Sequence, residues 1–364
     1  MKRANRVGSS WGISGRVCGV RISAILLRIF LRSISMRGLA VCLLFAMTIA
    51  FAAMSKAENS VIRPGEPWLD DRGKEIQAHG GGIIKLKSTY YWFGEDRSKG
   101  NDPAKRYVAC YSSKDLIHWK FLNQVLAMSD PENLGTGWIL ERPKVFHNTR
   151  TGKFVMYAHI DGPDYKFARV AVAVSDKIDG TYRYVKSFRP LDKESRDIGG
   201  FIDDDGSAYV IFESRPTKGF YIAKLSSDYM NVEKEIAFIE VPLEGGAIVH
   251  YQGMYYVVGS HLTGWEPNPN VVATASRLSG PWSQTEDIAP PGKNTYNSQS
   301  SMLIKVVGRR NTVVIFAGDR WNPKDLEDSR YVWMPVRINK GNLSLPPPQP
   351  WTIDVQRGVT ALLP

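Results

Sequence analysis

The sequence predicts an all-β fold, a five-bladed β-propeller with four-stranded blades. Three observations lead to this prediction. Of the 364 residues, 11% are aromatic, no long stretch after residue 58 has the 3.6-residue apolar period of a helix, and one unit of short apolar strands recurs five times. Hydrophobic and charged contents of 43% and 23% are typical of globular proteins. The many rings suit a β-rich core, and they also suit surfaces that bind the flat apolar faces of sugars.

The chain divides into a predicted leader, residues 1–57, and a propeller domain, residues 58–364. The leader carries nine basic and no acidic residues, a 15-residue apolar run at 39–53, and a small-x-small exit at Ser55-Lys56-Ala57. These features are typical of a secretory signal, and the run is shorter than the roughly 20 residues that a membrane-spanning helix needs. We therefore expect a secreted or periplasmic protein, with an uncleaved N-terminal membrane anchor as the alternative.

The net charge of +11 comes from the leader and not from the propeller domain. Residues 58–364 contain 38 basic and 36 acidic residues, a net charge of +2. The domain therefore lacks the excess of positive charge that is typical of DNA- or RNA-binding proteins, and we expect no nucleic-acid partner. Cys110 is the one cysteine after residue 57, so the domain forms no internal disulfide, and a core of this size needs none.

Each of the five units runs from a polar residue into an apolar strand, a turn and a second apolar strand. We expect first strands at 82–86, 144–146, 200–202, 247–249 and 302–304, second strands at 90–93, 154–157, 208–212, 255–258 and 313–316, and third strands at 107–111, 169–174, 220–225, 270–275 and 331–338. In four units the third strand runs into a serine-containing turn before an outer strand, and the fifth unit departs there. Four strands that repeat every 47 to 62 residues are typical of propeller blades. A β-sandwich with a second domain explains the recurring polar residue less well.

The polar residue that opens each unit is the main functional signal. In a propeller the first strands line the central channel, and we expect their beginnings to meet at one mouth of it. The opening residues are His79, Glu141, Asp197, Glu244 and Gln299, at spacings of 62, 56, 47 and 55. Taken singly, each has a plainer interpretation, such as Glu141 pairing with Arg142, or His79 being a buried structural histidine. Asp197 pairing with Arg196 is a further alternative of this kind.

A second set of polar residues stands near the ends of the second strands and would form a further ring around the pocket. They are Glu95, Asp96, His159, Asp161, Glu213, His261, Asp319 and Arg320; hydrogen bonds between blades are the alternative explanation. The run Asp203-Asp204-Asp205-Gly206 lacks the later glutamate of a calcium loop, so we expect a hairpin turn there, and a structural calcium has no support. Zinc-ligand spacings, a nucleophile elbow and a phosphate loop are missing from the sequence, and we expect no metal and no required cofactor.

Carboxyl groups gathered in one pocket favour acid–base chemistry. Two acids close together separate their pKa values, so that one stays protonated near neutrality. Glycoside hydrolysis needs such an acid at the leaving oxygen and a partner for the attacking water or the sugar carbon. Glu141, Asp197 and Glu244 would supply these groups. We expect a polysaccharide or oligosaccharide as the binding partner and a monomeric protein.

With these residues the chain resembles glycoside hydrolase family 43, over nearly the whole domain after the leader. Five segments look like the exo-β-1,3-galactanase branch of that family: Gln77-Ala78-His79-Gly80-Gly81-Gly82, Tyr91-Trp92-Phe93-Gly94-Glu95-Asp96, Glu141-Arg142-Pro143-Lys144-Val145, Leu262-Thr263-Gly264-Trp265 with Pro267-Asn268, and Asn297-Ser298-Gln299-Ser300. The resemblance implies a five-bladed propeller, inversion at the anomeric carbon, and release of galactose from β-1,3-galactan or arabinogalactan side chains.

The resemblance also implies roles for individual residues. Glu244 matches the general acid, and Asp197 matches the carboxylate that tunes this acid and orients the sugar. The remaining sugar contacts expected in the pocket are Glu141, Glu95, Tyr165 and Thr263.

The first blade departs from the wider family, most members of which open it with an aspartate that acts as general base. His79 stands in that stretch, and we expect it to contact the substrate. In the galactanase branch a glutamine at the position of Gln299 is thought to hold the water. Glu141 is the rival base, because an ordinary amide is a very poor one.

Two other functions stay open at this point. An arabinofuranosidase or xylosidase of the same fold is disfavoured by the missing aspartate. A non-catalytic propeller that binds sugar without cleaving it is favoured by the same absence.

Overall fold

The computed structural model describes residues 60–128, 130 and 132–363, so the predicted leader lies outside the described residues. The described chain folds as a five-bladed β-propeller, and the predicted fold class is confirmed. Within these residues, no helix combines the length and the apolar character that crossing a membrane requires.

Each blade is an antiparallel sheet whose strands follow one another in chain order from the channel outward. Blade 1 consists of β1 (His79–Leu86), β2 (Thr89–Asp96), β3 (Tyr107–Ser113) and β4 (Lys120–Ala127); blade 2 of β5 (Ile139–Asn148), β6 (Lys153–Asp161), β7 (Arg169–Ser175) and β8 (Arg183–Phe188). Blade 3 consists of β9 (Ile198–Ile202), β10 (Ala208–Ser214), β11 (Gly219–Leu225) and β12 (Val232–Ile239); blade 4 of β13 (Leu243–Tyr251), β14 (Met254–His261), β15 (Asn270–Ala275) and β16 (Glu286–Asp287). Blade 5 consists of β17 (Gln299–Val307), β18 (Thr312–Arg320) and β19 (Arg330–Pro335). Short helical turns lie at Pro190–Asp192, Asn294–Asn297 and Leu326–Asp328.

The innermost strands close into a ring. Each of β1, β5, β9, β13 and β17 contacts the next, and β17 contacts β1. The starts of these strands therefore meet at one mouth of a central channel. A hairpin turn joins β9 to β10, in which the Gly206 N–H donates to the Asp203 carbonyl at 2.9 Å, as predicted for this acidic run.

The fifth blade has three strands among the described residues, and segments from both ends of the domain lie beside it. The Gly65 N–H donates to the carbonyl of Tyr331 in β19 at 2.7 Å. Ile62 pairs with Trp351 through two backbone hydrogen bonds of 2.8 and 3.0 Å. Two small hairpins complete the chain, β20 (Arg337–Asn339) with β21 (Asn342–Ser344) and β22 (Trp351–Asp354) with β23 (Val359–Leu362). The ring thus closes where the fifth sequence unit departs from the other four.

Five clusters of buried apolar side chains fill the contacts between neighbouring blades. The cluster between blades 5 and 1 contains Trp92, Trp119, Trp333 and Trp351, all fully buried. The ring centroids of Trp92 and Trp333 are 4.6 Å apart, and those of Trp92 and Trp119 are 5.2 Å apart. Large rings bury the most apolar area per side chain, so this cluster stabilises the closure between the first and last blades.

Irregularities in four innermost strands change the directions of the side chains at their beginnings. The pairing register shifts between His79 and Gly82, Glu141 and Lys144, Glu244 and Ala247, and Ser300 and Met302. A β-bulge bends its strand and re-aims the side chains beside it. Three bulges contain a residue of positive φ: Gly80 at 56°, Arg142 at 51° and Gly245 at 65°.

Candidate active site

The beginnings of the innermost strands surround a pocket of about 320 Å³. It is lined by the expected residues Glu95, Glu141, Tyr165, Asp197, Glu244 and Gln299, together with Arg97, Arg142, Arg215, Gly264, Trp265 and Trp321. Glu244 and Gln299 come from neighbouring blades and touch directly, because Gln299 Nε2 donates to Glu244 Oε1 at 2.8 Å. Four of the five opening residues therefore share this pocket, and His79 does not.

His79 lies behind the pocket wall and is fully buried, away from where a substrate contact was expected. Its Nδ1 lies 3.1 Å from Asp319 Oδ1, and its ring stacks on Tyr331 with centroids 4.8 Å apart. Asp319 Oδ2 also accepts from the Gly80 N–H at 3.1 Å. His79 therefore supports the bulge of β1, which agrees with the plainer interpretation of a buried structural histidine.

Thr263, expected in the pocket, lies in the loop after β14 and is not part of the lining. Its Oγ1 donates to the Glu266 carbonyl at 2.6 Å and lies 2.6 Å from Asn268 Nδ2, which donates to it. Thr263 therefore shapes the loop that carries Trp265.

One wall of the pocket contains Glu141 and Glu95, with Arg97 between them. Arg97 Nη2 donates to Glu95 Oε2 and, at 3.3 Å, to Glu141 Oε1. Tyr165 donates its hydroxyl to Glu141 Oε1 at 3.2 Å. Burial alone would raise the pKa of Glu141, but His159 and Arg97 outweigh it and lower this pKa to about 2. Burial raises the pKa of Glu95, so Glu141 carries the more permanent negative charge of the two.

His159 in β6 lies between two carboxylates. Its Nδ1 is 3.3 Å from Glu141 Oε2, and its Nε2 is 3.3 Å from Asp161 Oδ2. Burial opposes a charge on this ring, but Asp161 and Glu141 raise its pKa to about 9. Glu141, His159 and Asp197 also bring possible metal-ligand atoms within 4.8 Å of one another. In this arrangement the protonated ring of His159 forms ion pairs with both Glu141 and Asp161.

Arg142 connects three blades beneath the pocket. Its Nε lies 2.7 Å from Asp197 Oδ2, its Nη1 donates to the Ser300 carbonyl at 3.0 Å, and its Nη2 donates to Gln299 Oε1. Its backbone N–H donates to Glu95 Oε1 at 2.9 Å. Arg142 therefore pairs with Asp197 and not with Glu141, because the bulge turns neighbouring residues of β5 in different directions.

The other sequence-based alternative, pairing of Asp197 with Arg196, is not formed either. Arg196 Nη1 instead contacts Asp161 Oδ2 at 3.2 Å and donates to the Tyr165 carbonyl at 2.8 Å. Asp197 is thereby left to face the pocket.

Glu244 lies near two other carboxyl groups, Asp197 in the pocket lining and the buried Glu213 behind it. Burial, followed by the charges of these two carboxylates, raises the pKa of Glu244 to about 9, against the opposite effects of Arg142 and Arg215. Burial and the charge of Asp197 also raise the pKa of Glu213. At neutral pH Glu244 therefore holds a proton that it can donate, whereas Glu141 does not.

All four hydrogen-bonding positions of the Gln299 amide are occupied. Its Nε2 donates to Glu244 Oε1 at 2.8 Å and to Ser260 Oγ at 3.1 Å. Its Oε1 accepts from Arg142 Nη2 and, at 3.0 Å, from Trp321 Nε1. Because the arginine and the indole only donate, the atom facing them is the oxygen. These contacts favour the amide form of Gln299 over its imidic tautomer, in which the oxygen would carry a proton.

A strained turn leads directly into Gln299. All four residues of Asn294–Asn297 have φ angles between 44° and 58°, in the left-handed region that costs about 1–2 kcal/mol for each non-glycine residue. Thr295 Oγ1 accepts from the Asn270 N–H at 2.7 Å, and Asn270 Nδ2 donates to the Ser298 carbonyl at 2.8 Å. Such strain persists where surrounding contacts hold it, and here the contacts place the start of β17.

Two tryptophans stand beside Gln299 on the pocket wall. Trp265 is 47% exposed, and its ring meets that of Trp321 edge-on, with centroids 5.7 Å apart. An exposed indole next to a polar pocket offers a flat apolar face on which a sugar can pack.

Lys144 stands in the central channel below the pocket. Its Nζ donates to the Gly80 carbonyl at 2.6 Å, and burial, followed by repulsion from Arg142, lowers its pKa to about 7. Glycines leave room for this side chain, because a Cβ at Gly82 or Gly200 would lie only 2.8 or 3.0 Å from it. Lys144 also lines a second cavity, of about 340 Å³, further along the channel.

Sequence reasoning missed the cations of the pocket. Arg97 and Arg215 each follow a glutamate at the end of a second strand by two residues, and each pairs with that glutamate, Glu95 or Glu213. This repeated Glu-x-Arg pattern was available as a signal. No comparable pattern in the sequence marks Lys144 or Trp321.

The comparisons with known proteins agree with this geometry. A family model described as glycosyl hydrolases family 43 matches residues 79–301. An exo-β-1,3-galactanase structure from Phanerochaete chrysosporium with β-1,3-galactotriose is 37% identical, with a TM-score of 0.79, covering 84% of this chain and 71% of that chain. One from Clostridium thermocellum is 34% identical, with a TM-score of 0.78 and coverages of 84% and 69%. A putative exo-β-1,3-galactanase from Bifidobacterium bifidum is 37% identical, with a TM-score of 0.73 and coverages of 78% and 96%. A search of curated proteins gave no match.

Proposed function

The chain belongs to glycosyl hydrolase family 43 and is a glycosidase, and we propose that it releases galactose from the ends of β-1,3-galactan or arabinogalactan side chains with inversion. The observation that carries this proposal is the gathering of Glu244, Asp197, Glu141 and Gln299 around one pocket. The similarity to exo-β-1,3-galactanases at 34–37% identity supports the choice of sugar and linkage.

Glu244 acts as the general acid. It gives its proton to the glycosidic oxygen, and the electron pair of the bond between this oxygen and the anomeric carbon stays on the oxygen. Asp197 keeps the acid protonated until then, because its negative charge, together with burial, raises the pKa of Glu244. A water molecule attacks from the opposite face of the sugar, so a β-galactoside yields α-galactose.

Two residues compete for the attacking water, and each has a physical difficulty. Gln299 is an amide whose oxygen already accepts from Arg142 and Trp321 and whose Nε2 lies 2.8 Å from Glu244 Oε1. Holding the water therefore requires one of the donors to yield and the bound sugar to separate Gln299 from the acid, because inversion places the two groups about 6.5–9.5 Å apart. Glu141 carries a negative charge, but a carboxylate with a pKa of about 2 is a weak base at neutral pH. We assign Glu141 with Glu95 and Tyr165 to binding the galactose hydroxyls, and Gln299 to positioning the water.

The direct test is incubation of the full chain with β-1,3-galactan, with the products followed by chromatography and proton NMR. We expect free galactose from the first time points, and the α-anomer before mutarotation. Internal fragments would contradict exo action, and β-galactose would contradict inversion. Release of arabinose from arabinan or xylose from xylan, without galactose, would show that the protein is an arabinofuranosidase or a xylosidase.

Three further properties belong to this proposal. Residues 1–57 direct export to the periplasm or medium, or anchor the protein if they are not cleaved. The enzyme works as a monomer. It requires no cofactor, because the proton donor and the sugar-binding charges are all side chains of the pocket.

A further inference from the structure

Arg215 is a cation at the pocket rim that the proposed mechanism leaves without a role. It directly follows β10, its side chain is 54% exposed, and it lies between two carboxyl groups. Its Nε is 3.3 Å from Glu213 Oε1, and its Nη2 is 3.9 Å from Glu244 Oε2. The guanidinium is therefore closer to Glu213 but within reach of the proposed acid.

The two oxygens of Glu244 have different partners. Oε1 accepts a hydrogen bond from Gln299 Nε2 at 2.8 Å, so this oxygen presents a lone pair. Oε2 is the oxygen that faces Arg215, whose Nη2 lies 3.9 Å away. The negative charge that develops when the proton leaves also appears beside the guanidinium.

Glu213 provides the resting partner for Arg215. Its side chain is almost fully buried, and its Oε2 has no hydrogen-bond partner among the described residues. A buried carboxylate favours a nearby cation, which explains why Arg215 rests on the Glu213 side. Arg215 is exposed on its other side, so its long side chain can shift by the small distance that separates the two acids.

We propose that Arg215 is a positioning residue that acts through Glu244, moving from Glu213 towards Glu244 Oε2 as Glu244 gives its proton to the leaving sugar. The proposal rests on the assignment of Glu244 as general acid. In the step itself, the O–H bond of Glu244 breaks, the proton joins the glycosidic oxygen, and the carboxylate that remains forms a closer ion pair with Arg215. Donors aimed at charge that develops during a reaction contribute more than those aimed at charge already present.

The charged groups around Glu244 set its pKa, and this pKa sets the alkaline limb of the pH profile of activity. Asp197 from the start of blade 3 and Glu213 from β10 raise its pKa, while Arg142 from β5 and Arg215 lower it. Gln299 contributes a neutral hydrogen bond to the carboxyl group. Removing Arg215 alone deletes one of the two cations that favour the charged form. The pKa of Glu244 then rises, and the alkaline limb of activity moves to higher pH.

The test compares Arg215→Met and Arg215→Lys in the full chain, with Arg183→Met in the outer strand β8 as the matched control. We expect Arg215→Met to lower kcat on β-1,3-galactobiose by about tenfold to a hundredfold with little change in KM, and to move the alkaline limb of kcat to higher pH. Arg215→Lys should recover part of both effects, and Arg183→Met neither. On β-galactosyl fluoride, whose leaving group needs little protonation, the loss in Arg215→Met should shrink to a few-fold.

The outcomes separate this proposal from its alternatives. A raised KM with an unmoved alkaline limb would overturn it and make Arg215 a contact of the leaving sugar. An unchanged kcat would overturn it outright. Failure of the unaltered protein to release galactose from galactobiose would count against the proposed function, which is a different result from any of these.

Discussion

The two ends of the central channel are built by the same five strands and differ in character. At one mouth the strands begin with Glu141, Asp197, Glu244 and Gln299, and the pocket contains three arginines. The cavity of about 340 Å³ at the other end has a mixed lining. Its apolar residues are Ile83, Val145, Phe201, Ile248 and Met302, and its charged or polar residues include Lys85, Lys144, Asp204, His250 and Lys305. Bulges at the first end re-aim side chains towards a common centre, whereas regular pairing continues at the second. The difference teaches that a propeller can carry chemistry at one end while the other end contributes mainly packing.

The largest expected effect lies at the polar mouth. Glu244→Gln keeps the shape of the acid but removes its proton, and we expect kcat on β-1,3-galactan to fall by about 10²- to 10⁴-fold. Binding of β-1,3-galactotriose, measured by calorimetry, should change little. Glu235→Gln in the exposed strand β12 serves as the control. If Glu244→Gln leaves galactose release intact, Glu244 is not the general acid. If the unaltered protein binds the sugar without any turnover, the molecule is a sugar-binding propeller and not an enzyme.

The pH dependence of activity tests the same mouth. Glu244 must be protonated to act, and its pKa is raised to about 9, so kcat should stay level through neutrality and fall about tenfold for each pH unit above that value. Glu141 ionises near pH 2 and therefore adds no loss between pH 5 and 8. A profile that already falls between pH 5 and 6 would show that the acid is not Glu244 in this environment.

Lys144 stands between the two ends, and its replacement should affect both. Lys144→Met keeps the stem but removes the amino group that donates to the Gly80 carbonyl, and we expect kcat to fall by about three- to tenfold as Arg142 and the bulges of β1 and β5 loosen. Activity assays with β-1,3-galactobiose measure this loss.

The same variant gives a stability test with a definite sign. The pKa of Lys144 is lowered from 10.5 to about 7, so between these values the unfolded chain binds a proton that the folded chain does not. Stability relative to Lys144→Met should therefore rise with pH across this window. Denaturant unfolding at pH 7 and pH 9.5 compares the two proteins. Parallel curves would show that Lys144 stays charged in the fold.

The smallest effect on activity is expected at the end with the mixed lining. Ile248→Val removes one buried methylene from the second cavity, and we expect a loss of about 0.5–1.5 kcal/mol in the free energy of unfolding with kcat unchanged within a factor of two. Thermal unfolding and galactose release measure the two quantities. A large loss of kcat would mean that the two ends are coupled more closely than their separate linings indicate.

The sequence predicted the blades well because the signal for a strand is local. Alternating and continuous apolar runs with turn residues between them recur within each unit, and the first, second and third strands of the units overlap the expected places. The outer strands β4, β8 and β16 begin two to five residues later than the residues expected for them, His118-Trp119, Thr181-Tyr182 and Pro281-Trp282. The fifth unit departed from the pattern, and the structure explains why: the ends of the domain lie beside β19 in place of a fourth strand.

The candidate site was predicted in part. The positions of Glu141, Asp197, Glu244 and Gln299 around one pocket follow from the repeat alone, since residues at equivalent places in five blades meet at one axis. His79 opens its unit like the other four residues and yet lies outside the pocket, because the bulge of β1 turns it, and Thr263 in the loop after β14 makes its hydrogen bonds within that loop. Whether a side chain enters a pocket depends on one or two backbone angles, which no repeat specifies.

The sequence by itself determined the five-fold repeat, the polar residue at each strand start, and therefore the ring of acids. The tertiary structure alone decided which charges pair, for example that Arg142 lies 2.7 Å from Asp197 and that Arg215 lies between Glu213 and Glu244. The physical reason is distance along the chain. A strand forms from neighbours within a few residues, but the proton affinity of a carboxyl depends on burial and on charges contributed by other blades, which only the closed ring brings together.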